Sequence, residues 1–416
     1  MRILILYPFL VRDGCLGGVA RVHRLIGYLD GRGHEVRLAC FTEPGRSPDE
    51  AALASTRARC REMVVVPAAR RPRVSTALRV AFGTDPRYVL HFRSEEMRRE
   101  VRRMAADARV ELLHVEFTYL AGYVAEADAG TCATVLVDEE LNFVARRREF
   151  EAAPVSVPGL AALWEARKFR RQEIEGARRF DKVLAITEEE RAAFLAAAPD
   201  LDVGVYPNCV DAERFAPAPG ISTEPGALLF VGNFEHRPNV DAAAWFVREV
   251  LPRVRSTAPD ARLDLVGAYM PPEIRRLQDG CSVRVLGYVD DVRPHLARSA
   301  AFVSPVVSGG GMRGKVLEAL AMGCPVVSTS LGAQGIAARH ERELLVADTA
   351  EEFAEAVARL LGDAPLRAAL GARGRELVLR RYDDRQVFPR LEALYEDLVR
   401  EKRAAGERPR EAGGTA

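Results

Sequence analysis

Short apolar runs alternate along most of the chain with longer stretches whose apolar residues recur at helical spacing. Ile3-Leu4-Ile5-Leu6 opens it as a strand, and Val22, Leu25, Ile26 and Leu29 then line one face of a helix that Gly33 ends. Val36 to Phe41 makes the second strand. Further strands are predicted at Leu112 to Val115, Ala133 to Val137, Lys182 to Thr187 and Val203 to Pro207, with a long helix over 160–180 carrying Trp164, Phe169 and Ile174. A stretch rich in Pro and Ala, Phe215 to Gly226, interrupts the pattern and reads as a boundary. The alternation restarts at Leu228 to Gly232 and continues through RLDLVG, VRVLGYVDD and the run Ala301 to Val307. Helices containing Phe353, Val357, Leu360 and Leu361, and then Leu391, Leu394, Tyr395 and Leu398, close the chain. Strands alternating with helices in this way predict an α/β chain of two doubly wound, Rossmann-like domains. The boundaries drawn are 1–208 for the first domain, 209–226 for a linker, 227–382 for the second domain, 383–400 for a last helix and 401–416 for a polar, mobile tail.

The stretch AFVSPVVSGGGMRGKVLEALAMGCPVVSTSL, Ala301 to Leu331, concentrates the candidate chemistry. A buried strand runs into the turn Ser308-Gly309-Gly310-Gly311. Val316, Leu317, Leu320 and Ala321 then mark one face of a helix stopped by Gly323 and Pro325. Arg313, Lys315 and Glu318 fall at the start of that helix. Glycines let backbone N–H groups approach an anion, and a helix N-terminus adds unpaired donors and the positive end of a dipole. The arrangement predicts a phosphate-bearing ligand. Gly309, Gly311 and Gly314 also match the dinucleotide fingerprint G-x-G-x-x-G. That motif calls for an acidic residue at the end of the next strand, where this chain has Ser328, Thr329 and Ser330, so a nicotinamide cofactor is not expected. All but four of the 60 basic side chains are arginine, the lysines being Lys168, Lys182, Lys315 and Lys402. Lys315, in so arginine-biased a chain, is either placed for its compact, movable point charge or retained by chance.

The run Glu318-Ala319-Leu320-Ala321-Met322-Gly323-Cys324-Pro325-Val326-Val327 resembles the nucleotide-binding signature of retaining, family-4-like glycosyltransferases of GT-B architecture (glycosyl transferases group 1). The likeness extends to Gly17-Gly18 with Arg21, to RGHEV at Arg32 to Val36, and to Asn208-Cys209-Val210-Asp211, and so covers nearly the whole chain. The resemblance implies two Rossmann-like domains facing a central cleft, the first on the acceptor side and the second binding a nucleotide sugar. The last helix is expected to pack back on the first domain. Glu318 is implied to hold the donor ribose hydroxyls, Gly309, Gly310 and Gly311 to line the donor, and Gly17 and Gly18 to approach the donor diphosphate and the acceptor. The family's first glutamate falls at Gly310 and its histidine near Glu140, and this chain has neither. The basic pair that follows Gly232 in relatives is represented by Asn233 and, approximately, Arg237. Arg313 and Lys315 are expected to supply the missing charge as catalytic groups. A carboxylate at Glu140, in the run Asp138-Glu139-Glu140, either orients the acceptor hydroxyl or belongs to a cluster in which Asp138 caps the next helix.

At 416 residues and 48% apolar composition the chain is long enough for two cores. A formal net charge of +1 gives no reason to expect a nucleic-acid partner. Seven cysteines without a C-x-x-C pair, and seven histidines without ligand spacing, predict reduced thiols in a cytoplasmic protein and no metal site. No apolar run reaches the length of a membrane span. Arginines crowd the segment 57–103, where they form either a solvated face or a weak peripheral contact with anionic lipid or an acidic acceptor. Asp200-Leu201-Asp202 matches the Asp-x-Asp of metal-dependent transferases, but it stands at a strand start and is read as surface. The expected function is metal-independent transfer of a sugar, with retention, from a nucleoside diphosphate to a glycan, lipid-linked or small-molecule acceptor. No cofactor beyond the nucleotide sugar is expected. The alternatives are a GT-B binding protein that lost catalysis, or a sugar-nucleotide epimerase or phosphorylase of the same architecture.

Overall fold

The computed structural model describes residues 1–12, 17–43, 50–69, 83, 85–127, 131–152, 154, 156–217 and 220–407. The chain divides into two compact units, Met1–Tyr206 with the segment from Phe388 onward, and Pro207–Val387.

In the first unit seven parallel strands take the order β3-β2-β1-β4-β5-β6-β7. They are β1 (Arg2–Tyr7), β2 (Glu35–Thr42), β3 (Glu62–Pro67), β4 (Leu112–Glu116), β5 (Ala133–Asp138), β6 (Lys182–Ala185) and β7 (Val203–Val205). Helices cover both faces of such a sheet, which is why β1, β4 and β5 are continuous buried runs instead of alternating ones. Ile3 pairs with Val36 on one side and Leu112 on the other, so the strand order reverses beside β1. The carboxyl edge at such a reversal is where open α/β sheets bind ligands. The helix Gly17–Gly31 starts there.

The second unit repeats the design with β8 (Glu224–Val231), β9 (Arg262–Val266), β10 (Val283–Gly287), β11 (Ser299–Ser304), β12 (Val326–Ser328) and β13 (Leu345–Val346). Their order is β10-β9-β8-β11-β12-β13, all parallel, with the reversal between β8 and β11. Phe230 on β8 and Phe302 on β11 are fully buried, each burying side-chain area worth about 1.5–3 kcal/mol. The turn Gly309 to Gly311 follows β11 and Gly232 follows β8, which places both at this second reversal.

Two sequence expectations change. β8 begins at Glu224, inside the stretch read as linker. The final helix, Asp384–Glu407, runs seven residues into the segment read as tail; residues 408–416 lie outside the described ones. Glu392 on that helix accepts hydrogen bonds from Tyr28 and Arg32, and a further 2.7 Å contact joins it to His34, all in the first unit. The arginine-rich segment is largely neutralised where it is described. Arg57 pairs with Glu50, Arg98 and Arg102 with Glu126, and Arg103 with Glu62 and Glu100. Arg70, Arg71, Arg73 and Arg79 lie outside the described residues. Among the described residues no helix is long and apolar enough to cross a membrane.

Candidate functional site

In the second unit the chain leaves β11 and turns at Gly309 (φ 94°) and Gly311 (φ 73°), conformations that side chains rarely adopt and that glycine enters freely. Arg313 braces the turn from below, its Nη1 donating to the carbonyl of Gly310 at 2.6 Å and to that of Gly311. Asn208 donates to the carbonyl of Met312 at 3.1 Å. The helix Gly314–Ala321 then begins with no side-chain hydrogen bond from Arg313 to cap it, which leaves the positive end of its dipole at the turn.

Lys315 stands in the first turn of that helix. Its Nζ donates to Asn239 Oδ1 at 2.7 Å and lies 4.3 Å from the center of the Phe230 ring. Burial, with help from the neighbouring Arg313 charge and against the pull of Glu318, pushes its ammonium down to about 7. Asn239 is itself oriented, donating to the Asn233 carbonyl at 2.7 Å. A side chain at Gly232 would meet Asn239 at 3.1 Å, so that glycine makes room for the residue that holds the lysine. Gly232, Asn233, Gly309, Gly310, Gly311, Arg313, Lys315 and Glu318 therefore belong to one neighbourhood of the second unit. Arg237 does not join them. Its guanidinium, 67% exposed, is spent on Asp241 (2.7 Å) and Glu273 (3.0 Å). Asn233 uses its Oδ1 to accept from the backbone of Glu235.

In the first unit Gly17 and Gly18 open the helix Gly17–Gly31; of the loop before them, residues 13–16 lie outside the described ones. A Cβ on Gly18 would stand 2.3 Å from Glu139 Oε2, so the bare glycine leaves room for that carboxylate against the helix start. Arg21, one turn further and 1% exposed, donates from Nη2 to Glu139 (2.9 Å) and to Glu116 (2.8 Å), with its guanidinium 4.7 Å from the Tyr206 ring. Glu116 also faces His114 Nε2 at 3.0 Å, and His114 Nδ1 meets the Tyr395 hydroxyl at 2.5 Å. Since a carboxylate only accepts, His114 carries its proton on Nε2. One cation thus serves a buried carboxylate, Glu116, and a half-buried one, Glu139. Burial pushes Glu139 up to about 7, with Glu116 adding to the effect and Arg21 opposing it.

The carboxylate beside the glycine pair is therefore Glu139 and not Glu140. Successive residues at a strand end face opposite ways. Glu140 acts on a second group, Asp138, Glu173 and Glu190, whose carboxyls burial raises above their usual range, Glu173 to about 8 and Glu190 to about 7. The helix Asn142–Ala152 is capped by Glu173, which accepts from the N–H groups of Asn142 (2.9 Å) and Phe143 (3.2 Å), so Asp138 is not its cap. Among the described residues no group of His, Cys, Asp and Glu is arranged to hold a metal ion. Asp200 and Asp202 pair instead with Arg178 (2.9 Å) and Lys182 (2.6 Å). Asn239, Phe230 and Glu116 carry no sequence signal of their own. Arg21 had one in its spacing from Gly17-Gly18.

Two family descriptions match the chain, a glycosyl transferase 4-like domain over residues 17–209 and a glycosyl transferases group 1 domain over residues 225–363. Over 223 residues the chain is 30% identical to a GDP-mannose-dependent alpha-(1-6)-phosphatidylinositol monomannoside mannosyltransferase of Mycobacterium tuberculosis, an overlap of 48% of this chain and 57% of that protein. The chain spans about half the length of the curated relatives it matches. Among solved structures it is similar to a sucrose-phosphate synthase from Thermosynechococcus elongatus, with a TM-score of 0.70, 17% identity, and coverage of 96% of this chain and 100% of the other. It is also similar to HepE of Anabaena, solved in complex with UDP, with a TM-score of 0.67, 15% identity, and coverage of 95% and 100%. At such identities the likeness establishes the fold, two Rossmann-like units of the GT-B class.

Proposed function

We propose that this chain, built from a glycosyl transferase 4-like domain followed by a group 1 glycosyl transferase domain, moves a sugar from a nucleoside diphosphate to an acceptor hydroxyl. The observation that carries the reading is Lys315, a half-buried cation at an uncapped helix start, held by Asn239 over Phe230 directly after a glycine turn. Backbone N–H groups and an ammonium converging on one spot suit a diphosphate. HepE, similar in fold, was solved with UDP, which supports a nucleoside diphosphate as the donor's leaving group.

As the bond from the sugar to the diphosphate breaks, negative charge grows on the departing phosphate oxygen. A fixed cation gains most at that moment, so Lys315 accelerates departure as well as binding the diphosphate. Arg313 contributes by holding the carbonyls of Gly310 and Gly311, which turns the N–H side of the loop toward the phosphates. Glu318, one turn along the helix, takes the ribose hydroxyls. In the first unit Glu139, able to hold or release a proton near neutrality, is the candidate to orient an acceptor hydroxyl. The reaction is retaining and needs no metal, Lys315 and the backbone N–H groups of the turn doing the neutralising.

Titration calorimetry with UDP and with GDP tests the site. One of the two binds, and Glu318→Ala weakens it by about 1–3 kcal/mol, the range for a hydrogen bond at a charged group. Unchanged affinity in a folded Glu318→Ala protein removes that assignment.

A further inference from the structure

Asn239 stands where the two loops at the second unit's reversal meet. It lies in the first turn of the helix Arg237–Trp245, directly after Pro238. Gly232, which follows β8, leaves the room that the Asn239 side chain takes, since a Cβ there would meet Asn239 Cγ at 3.1 Å. The glycine turn that follows β11 closes on the same place, where a Cβ on Gly309 would stand 3.3 Å from Pro238 Cγ. Two bare glycines, one in each loop, thus bring both loops against Pro238 and Asn239.

The amide uses each of its ends on a different loop. Its Nδ2 donates to the Asn233 carbonyl at 2.7 Å, and its Oδ1 accepts from Lys315 Nζ at 2.7 Å. A carbonyl only accepts and an ammonium only donates, so the amide has one orientation that satisfies both. Lys315 is thereby held over the Phe230 ring, 4.3 Å from its center. The charged neighbours on the lysine's own side are Arg313, which opposes its charge, and Glu318, which favours it. Its contacts from the other side, Phe230 and Asn239, carry no charge. A carboxylate in place of the amide would pair with the lysine permanently and compete with any phosphate.

We propose that Asn239 is the positioning residue for Lys315: it fixes Nζ at the glycine turn with one neutral acceptor and supplies no countercharge, so the lysine's charge is left for the diphosphate to claim. The inference rests on the donor site proposed above. Asn239 then acts on the nucleotide through Lys315. Removing its oxygen makes the lysine harder to charge, and a carboxylate in its place makes the lysine easier to charge.

The lysines are Lys168, Lys182, Lys315 and Lys402, so NMR of isotope-labelled lysine Cε carbons in the full chain identifies Lys315 by its loss in Lys315→Arg. Its titration midpoint, about 7 in the wild type, moves down by about one pH unit or more in Asn239→Leu and up by about as much in Asn239→Asp. A merely loosened fold lets water in and moves both variants upward, toward the value in water near 10.4. Calorimetry with UDP and GDP at about pH 7 then reads the coupling to the nucleotide. Relative to Lys315→Arg, the wild type takes up roughly half a proton per nucleotide bound, Asn239→Leu close to one and Asn239→Asp close to none. An Asn239→Leu midpoint equal to or above that of the wild type, or an Asn239→Asp midpoint that does not rise, overturns the inference whatever the nucleotide does. Midpoints that move as expected in a protein binding neither UDP nor GDP uphold the grip of Asn239 on Lys315 and overturn the donor site instead.

Discussion

Replacing Lys315 by arginine probes the glycine turn most sharply. In the folded chain burial against Phe230, with the Arg313 charge nearby, pushes the Lys315 ammonium down to about 7. In water the same group titrates near 10.4, and each tenfold change in a protonation constant is worth about 1.4 kcal/mol, so charging it here costs on the order of 5 kcal/mol. A diphosphate beside Nζ offsets that cost by Coulomb attraction, and binding then brings a proton with it. If affinity rests on the charged form, UDP binding is level below about pH 7 and falls roughly tenfold per pH unit above it, until the pKa of the complex is reached. At about pH 8 roughly nine-tenths of a proton is taken up per UDP bound. Calorimetry in HEPES and Tris, whose ionisation enthalpies differ, measures that uptake directly. Arginine stays charged throughout this range, so Lys315→Arg removes the uptake and flattens the pH profile. Zero uptake in the wild type, or an unchanged slope in Lys315→Arg, refutes the reasoning.

Gly18→Ala forces a Cβ onto the Glu139 carboxylate and costs about 1–3 kcal/mol of stability, and the double change Gly18→Ala/Glu139→Ala recovers most of it in thermal melts. Arg21→Met leaves Glu116 buried without its cation and costs about 3–5 kcal/mol, partly restored by adding Glu116→Gln; a melting temperature equal to wild type contradicts the buried pairing. Glu173 and Asp138 titrate higher in the folded chain than in the unfolded one, so the stability they confer is full below about pH 4 and is lost as pH rises toward about 8. Between about pH 5 and 8 the melting temperature of Glu173→Gln therefore changes less steeply with pH than that of the wild type, which loses this contribution as pH rises.

Much of this architecture was legible because strands buried on both faces leave continuous apolar runs, and β1, β4, β5 and β11 were all visible as such. Lys315 stood out against an arginine background, and the glycine turn announced its own backbone geometry. What could not be read was orientation. Glu139 and Glu140 differ by one position at the end of β5, and which of them meets Gly18 depends on where the strand stops. Asn239 lies 76 residues before Lys315 in sequence, and nothing in its neighbours foretells the contact. Arg237 had the right charge at nearly the right place, yet Asp241, four residues on along the same helix, and Glu273 claim it. The C-terminal tail was misplaced because polar, apolar-poor residues also suit the solvent face of a helix that is already anchored by Glu392 and Tyr395.

The central question is whether the neighbourhood of Lys315 breaks a sugar–diphosphate bond without a metal. Purified chain incubated with a panel of nucleotide sugars in excess EDTA, and no acceptor, answers this by the release of free sugar. Slow release is expected from at least one donor, unaffected by the chelator, with a rate at saturating donor about a hundredfold lower in Lys315→Ala. Release that stops in EDTA and returns with Mg²⁺ or Mn²⁺, or an undiminished rate in Lys315→Ala, contradicts it.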